Sequence, residues 1–67
     1  MRIEFMYIPS GEIILALNTD DDTPLYLPDR NGPIRIDGKL YKTLALMPNY
    51  SLVGFEKLTI AIEDAPV

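Results

Sequence analysis

The sequence contains neither cysteine nor histidine among its 67 residues. Without cysteine a small domain has no disulfide to stabilise it, and without either residue the usual zinc sites cannot form. Ser-His-Asp, Cys-His and Glu-x-x-His arrangements are also impossible within one chain, and the glycines are isolated, so no phosphate-binding loop is present. The sequence therefore predicts a protein that is not an enzyme and that uses no cofactor.

Basic residues and long apolar runs are scarce as well. Six Lys and Arg residues against ten Asp and Glu residues give a net charge of −4. An acidic surface repels phosphate backbones, so we expect no general binding to DNA or RNA. No apolar run approaches the roughly 18 residues of a membrane span, and the first residues, Met1–Glu4, do not resemble a secretion signal. A cytoplasmic protein without a membrane association is expected.

The length predicts a single small domain over residues 1–67. A chain this short buries only about 60% of the surface that it exposes when unfolded, so its core provides little surplus stability. Disulfides and zinc are excluded, and 48% of the residues are hydrophobic. Oligomerisation is the remaining way to bury more apolar surface, and we expect a homo-oligomer.

The strongest local signal is a β-hairpin in residues 34–46. Asp37-Gly38 joins two β-type runs and suits the two left-handed positions of a type I′ turn. In a two-residue loop Ile36 faces Lys39, so the residues of the hairpin divide between two faces. One face carries Ile34, Ile36, Lys39, Tyr41 and Thr43, and the other carries Arg35, Leu40, Lys42, Leu44 and Leu46. Neither face is polar, which predicts a sheet that curls into a barrel or meets another subunit.

The rest of the chain also consists of short β-type runs. Strands are predicted over residues 2–8, 12–17, 25–27 and 52–63, with residues 47–51 as a connection and a bulge or bend at Gly54. Residues 12–17 also fit a short helix, and the prolines around residues 25–27 would confine that strand to an edge. The pattern predicts an all-β fold with little or no helix, namely a small antiparallel barrel or sandwich of five to six short strands, SH3-like or OB-like in size.

Two groups of residues are candidates for binding a partner. Consecutive carboxylates at 20–22 could offer oxygen ligands to Ca²⁺ or Mg²⁺, but they lack the alternate spacing and the glycine of a calcium loop. We read them as a solvated loop or as a contact for a basic partner, and we predict no metal site. Tyrosine and arginine dominate interface energetics. The predicted partner-binding residues are Tyr7, Asp20, Asp21, Asp22, Tyr26, Arg30, Arg35 and Tyr41.

These observations favour a non-enzymatic protein-interaction module. In this hypothesis a small acidic inhibitor or adaptor self-associates and binds a partner protein through a strand edge or an exposed tyrosine and arginine patch. Two alternatives stay open. One is an oligomer that binds a small ligand in pockets between subunits, and the other is a small β-barrel that binds nucleic acid.

Overall fold

The computed structural model describes residues 1–20 and 27–66. All regular structure in these ranges is β, and no helix is found in them. The strands are β1 (Arg2–Tyr7), β2 (Glu12–Asn18), β3 (Pro33–Ile36), β4 (Lys39–Ser51) and β5 (Gly54–Asp64). They form one five-stranded sheet in the order β2-β1-β5-β4-β3, which curls into an open half-barrel. The predicted all-β fold of small-barrel size is confirmed.

One pairing in the centre of the sheet departs from the expected antiparallel arrangement. The β1–β2, β3–β4 and β4–β5 pairs are antiparallel, but β1 runs parallel to β5, with Arg2 opposite Lys57 and Tyr7 opposite Ile62. A parallel pair cannot be closed by a short turn. The sheet therefore consists of an N-terminal hairpin and a C-terminal meander that meet along their first and last strands.

The predicted hairpin at Asp37-Gly38 is confirmed. Ile36 pairs with Lys39, and the turn residues Asp37 and Gly38 have φ values of +50° and +82°, as a type I′ turn requires. Apart from Gly38 itself and its two chain neighbours, no atom of residues 1–20 and 27–66 lies within 4 Å of a Cβ built on Gly38. A side chain there is therefore opposed by the backbone conformation and not by crowding.

The connection predicted over residues 47–51 is wrong. Those residues continue β4, and the turn is formed by Leu52 and Val53, so β5 begins at Gly54 and not at Leu52. Pro48 had suggested a loop. It is tolerated because β3 pairs only with residues 39–42 of β4, which leaves β4 without a neighbour on that side at Pro48.

Two further expectations are corrected by the strand assignments. Leu46 was predicted to share a face with Leu40, but a bulge at Leu44 places it opposite Ile60 on the core face. A bulge inserts one extra residue, so it exchanges the two faces of the strand beyond it. The strand predicted over residues 12–17 is confirmed, and the alternative of a short helix there is excluded. Of the strand predicted at 25–27, Leu27 is not in a strand and the other two residues lie outside the described ranges.

The core lies on one face of the adjacent strands β1 and β5. Its buried hydrophobic residues come from β1 and β5, and partly buried side chains of the other strands pack against them. The buried residues are Ile3, Phe5, Ile60 and Ile62, and the packing residues are Leu15, Ile34, Ile36, Tyr41 and Leu58. The sheet curls so that Ile34 and Ile36 of β3 pack against this face, and a single sheet thereby encloses a small core.

The β4–β5 hairpin extends beyond the rest of the sheet. The pairing of β1 with β5 begins at Lys57, so residues 49–56, which we call the arm, have neither β1 nor β3 beside them. The molecule measures 41 × 25 × 18 Å, with a radius of gyration of 12.3 Å. A compact chain of this length would have a radius of gyration of about 11 Å. The projecting arm accounts for this elongated shape.

Candidate interaction surfaces

The end of the arm is a hydrophobic turn. Val53 is 98% exposed and Leu52 is fully exposed. Hairpin turns usually contain Gly, Asn or Asp, because left-handed backbone angles are needed there. Here Gly54 takes the positive φ of +136°, and neither Leu52 nor Val53 has one. The turn can therefore hold two large aliphatic side chains in solvent.

An aromatic pair extends this apolar surface behind the turn. Tyr50 and Phe55 face each other across the β4–β5 ladder, with ring centroids 5.7 Å apart and planes inclined by 55°. Tyr50 is 71% exposed and Phe55 is 45% exposed. We call Tyr50, Leu52, Val53 and Phe55 the apolar tip. Sequence reasoning missed it because residues 47–51 were read as a connection, although two adjacent aliphatics at a turn were the available signal.

The two edges of the sheet differ in how well they are protected. The β3 edge is only four residues long and contains Pro33 and Arg35. Short edge strands, proline and charge all oppose pairing with a further strand. The β2 edge is seven residues long, and residues 13–18 contain neither a charge nor a proline. Ile13, Ile14 and Leu17 are exposed along it. Within residues 1–20 and 27–66 no other strand pairs with the outer side of β2, so this edge is available to a further strand.

Two of the predicted partner-binding tyrosines meet in space. The rings of Tyr7 and Tyr41 make an edge-to-face contact with centroids 6.1 Å apart. Lys39 Nζ lies 5.1 Å from the Tyr41 centroid and forms a 2.9 Å ion pair with Asp64 Oδ1. The Tyr7 hydroxyl donates a hydrogen bond to Asp64 Oδ2. We call these four residues the tyrosine cluster.

These contacts shift the pKa values of three groups in the tyrosine cluster. Hydrogen bonds from Tyr7 and Lys39 lower the pKa of the Asp64 carboxyl. The same carboxylate raises the pKa of the Tyr7 hydroxyl and the pKa of the Lys39 ammonium. An open cleft of about 500 Å³ lies beside the cluster, lined in part by Lys39, Asp64 and Pro66. The two charged side chains in the lining of this cleft, Lys39 and Asp64, form an ion pair with each other. Neither is therefore an unpaired charge that could bind a substrate.

A second charged cluster lies on the opposite face of the sheet. Glu4 is buried and accepts 2.9 Å contacts from Arg2 Nε and Lys57 Nζ. The hydrogen bonds from Lys57 and Arg2 lower the pKa of the Glu4 carboxyl. The parallel β1–β5 register produces this arrangement, because it places Arg2 directly opposite Lys57. The Lys57–Glu4 ion pair joins β5 to β1, whereas the Arg2–Glu4 ion pair lies within β1.

Both clusters predict a loss of stability in acid. A carboxyl whose pKa is lowered by folding stabilises the native state above its unfolded pKa, and this contribution disappears as the pH falls through the lower, folded value. The ordinary pKa values of Asp and Glu lie near 4. We therefore expect the urea concentration at the unfolding midpoint to decrease when the pH is lowered below about 4. Urea titrations from pH 7 to pH 2 test this. Glu4→Gln and Asp64→Asn should each flatten the acid limb, and an unchanged limb in both variants would contradict the assignment.

The other predicted partner-binding residues are placed separately. Asp20, Arg30 and Arg35 are exposed, in two loop segments and on β3 respectively. Asp21, Asp22 and Tyr26 lie outside the described residues. Among the predicted residues that the structure describes, Tyr7 and Tyr41 are in contact with each other. Within residues 1–20 and 27–66, no group of three acidic, Cys or His residues is placed to hold a metal ion.

The basic residues divide between the two faces of the sheet, and acidic residues lie among those on the face opposite to the core. Arg2 and Lys57 contact Glu4, and Lys39 contacts Asp64. Arg35 and Lys42 lie on one face of the β3–β4 hairpin, opposite to the face of Lys39. Arg2 and Lys57 share the face of Arg35 and Lys42, but Glu4 binds the first pair and Glu63 lies opposite Lys42. Carboxylates thus accompany the basic groups on this face and weaken its attraction for a phosphate chain.

In the described parts of the chain there is no helix that is both long and apolar enough to span a membrane. No significant similarity was found to a protein family, to a curated protein or to a solved structure.

Proposed function

We propose that this protein is a non-enzymatic interaction module. It self-associates, and it binds a partner protein through its arm. The apolar tip is the observation that carries the proposal. A turn that keeps Leu52 and Val53 in solvent exposes hydrophobic surface that would be removed from water in a complex. Tyr50 adds a side chain of the type that dominates binding energy at interfaces.

The shape and charge of the arm indicate the kind of partner. The tip is convex, so it fits a groove on another protein and does not itself enclose a small ligand. Glu56 is the only charged residue between positions 49 and 56. Full burial of one Leu or Val side chain contributes about 1.5–3 kcal/mol before the losses of association are subtracted. A partner with an apolar groove therefore suits the tip, and a basic surface around that groove would suit the acidic chain.

The partner-binding part is tested with a tip variant and a matched control. Leu52→Ser with Val53→Thr removes apolar surface at the turn, whereas Leu40→Ser does so at the other end of β4. Each variant and the parent are used for cross-linked capture from host extract, and captured proteins are then titrated in purified form. We expect at least one partner whose Kd is weakened about tenfold or more by the tip variant and is unchanged by the control. Equal binding by all three chains would refute the role of the arm.

Self-association is tested by light scattering over a concentration series. We expect a mass above that of a single 7.6 kDa chain at micromolar concentration. A mass of one chain at high micromolar protein would remove self-association from the proposal and leave the tip experiment unaffected.

A further inference from the structure

We infer that the β2 edge is the self-association surface, and that two copies of this chain join their β2 strands antiparallel about a twofold axis at Leu17. The inference rests on the self-association in the proposed function and specifies its geometry. Pairing of the two β2 strands would join the sheets of both copies into one continuous sheet. A pairing of this kind is isologous, since the same strand of each copy faces its equivalent.

The backbone of β2 determines which groups are available for this pairing. Met1 and Thr19 exchange hydrogen bonds in both directions, since each main-chain nitrogen donates to the carbonyl oxygen of the other residue. In an antiparallel ladder such pairs alternate with pairs whose N–H and C=O groups point away from the partner strand. Counting along the β1–β2 register from Thr19 places the outward-pointing groups on Asn18 and Ala16.

A twofold axis at Leu17 matches these groups to each other. Ala16 of one copy then lies opposite Asn18 of the other, and Asn18 lies opposite Ala16. Each of these residues donates one main-chain hydrogen bond and accepts one across the axis. The spacing of the outward-pointing groups in β2 is thus complementary to itself, which is the condition that a symmetric dimer imposes.

The side chains of β2 are compatible with the same axis. Leu17 lies on the core face opposite Ile3 and is 37% exposed. At the axis the two Leu17 residues form a pair without hydrogen bonds, in which the Cα atoms approach to about 4.5 Å and the side chains touch. Leu15 continues this apolar row on the same face. Ala16 and Asn18 lie on the other face and are small enough to leave the approach of the strands unhindered.

A bulge restricts the possible registers. The β1–β2 ladder has an irregularity that leaves Ile14 without a partner between Leu15 and Ile13. A bulge bends the strand and interrupts regular pairing. An axis at Leu17 uses the regular residues 16–18, whereas a ladder centred nearer to Glu12 would have to cross the bulge.

The accessible surface area also favours a second copy. The area is 4886 Å². A folded monomer of this mass would have about 4,300 Å² by the general scaling of surface with mass. The excess of roughly 600 Å² is comparable to the roughly 800 Å² that each partner contributes to a standard interface. The projecting arm contributes to this excess, and an additional strand on the β2 edge would cover the exposed side chain of Leu17.

Cysteine cross-linking tests the register directly, because the natural chain contains no cysteine. Leu17→Cys places two thiols across the axis at a Cα separation that a disulfide can span. We expect this variant to form a disulfide dimer under mild oxidation, and we expect Leu40→Cys, which is exposed to a similar degree but lies far from β2, to remain monomeric in non-reducing electrophoresis. Cross-linking of Leu52→Cys without cross-linking of Leu17→Cys would assign self-association to the apolar tip and overturn the inference.

A second pair of variants tests the hydrogen bonds. Ala16→Pro removes an N–H that points away from β1, so the β1–β2 ladder keeps its bonds, whereas Ala16→Val retains the N–H. We expect the proline variant to weaken the dimer Kd about tenfold or more, and the valine variant to leave it nearly unchanged. Circular dichroism checks that both variants fold. If the proline variant does not fold, the cross-linking of Leu17→Cys alone tests the β2 interface.

The outcomes separate this inference from the proposal on which it rests. A stable dimer that neither cross-links through Leu17→Cys nor responds to Ala16→Pro would refute the β2 interface while self-association stands. A parent chain that is monomeric at high micromolar concentration would refute both. The tip-dependent binding of a partner is measured independently of either result.

Discussion

Replacing Ile60 by alanine is expected to unfold most of the protein at 25 °C. Ile60 is completely buried, and its neighbours across the two ladders are Phe5 and Leu46. Removal of a buried isoleucine side chain down to its Cβ lowers the free energy of unfolding by about 2–5 kcal/mol. A core in a domain of this size rarely supplies more than about 3–5 kcal/mol. The single substitution therefore removes most of the available stability.

The measurement is urea unfolding followed by far-ultraviolet circular dichroism, with two controls at the same protein concentration. Ile60→Val removes only one carbon and should lower the free energy of unfolding by about 0.5–1.5 kcal/mol. Leu52→Ala truncates an equally hydrophobic side chain that is fully exposed at the arm, so it should change stability by less than about 0.5 kcal/mol. If Leu52→Ala and Ile60→Ala had similar effects, the core would not lie where the sheet places it.

Features set by local sequence were predicted well. Alternating residues identified β1, a short apolar run identified β2, and Asp37-Gly38 identified the β3–β4 turn with its register. The physical reason is that turn type depends on the backbone angles of two adjacent residues, and glycine or aspartate at those positions is a direct signal.

Features set by tertiary context were not predicted. Pro48 was read as a loop signal, although a proline is acceptable where a strand lacks a neighbour, and only the short length of β3 creates that situation. The parallel β1–β5 pairing joins segments more than fifty residues apart. No turn connects these two strands, so no local signal could reveal their contact.

The candidate surfaces show the same division. Tyr41 and Lys39 were predicted to share a face of one hairpin, and they do lie together in the tyrosine cluster. Tyr7 and Asp64 join them from the ends of β1 and β5, which only the sheet order brings to this place. The apolar tip was missed because the exposure of its residues depends on where the β4–β5 turn lies. A shift of that turn from 47–51 to Leu52-Val53 converts apparent strand residues into an exposed apex.

A buried hydroxyl offers a substitution that should stabilise the protein. Thr43 is completely buried on the core face, and its Oγ1 has no hydrogen-bond partner within residues 1–20 and 27–66. A polar atom that loses water without gaining a partner destabilises the native state by about 1–3 kcal/mol. Thr43→Val keeps the branched shape that suits a strand and replaces the hydroxyl by a methyl group. We expect it to raise the free energy of unfolding by about 1–2 kcal/mol.

Thr59 provides the matched control on the other face of the sheet. It is also buried, but its Oγ1 accepts a 2.9 Å hydrogen bond from Asn49 Nδ2. Thr59→Val removes that acceptor, so the same chemical change should here lower the free energy of unfolding by about 1 kcal/mol. Urea midpoints of the two variants should therefore move in opposite directions from the parent. Equal shifts of the same sign would mean that valine acts through its hydrophobicity or strand propensity alone, and that the Thr43 hydroxyl is not an unsatisfied group.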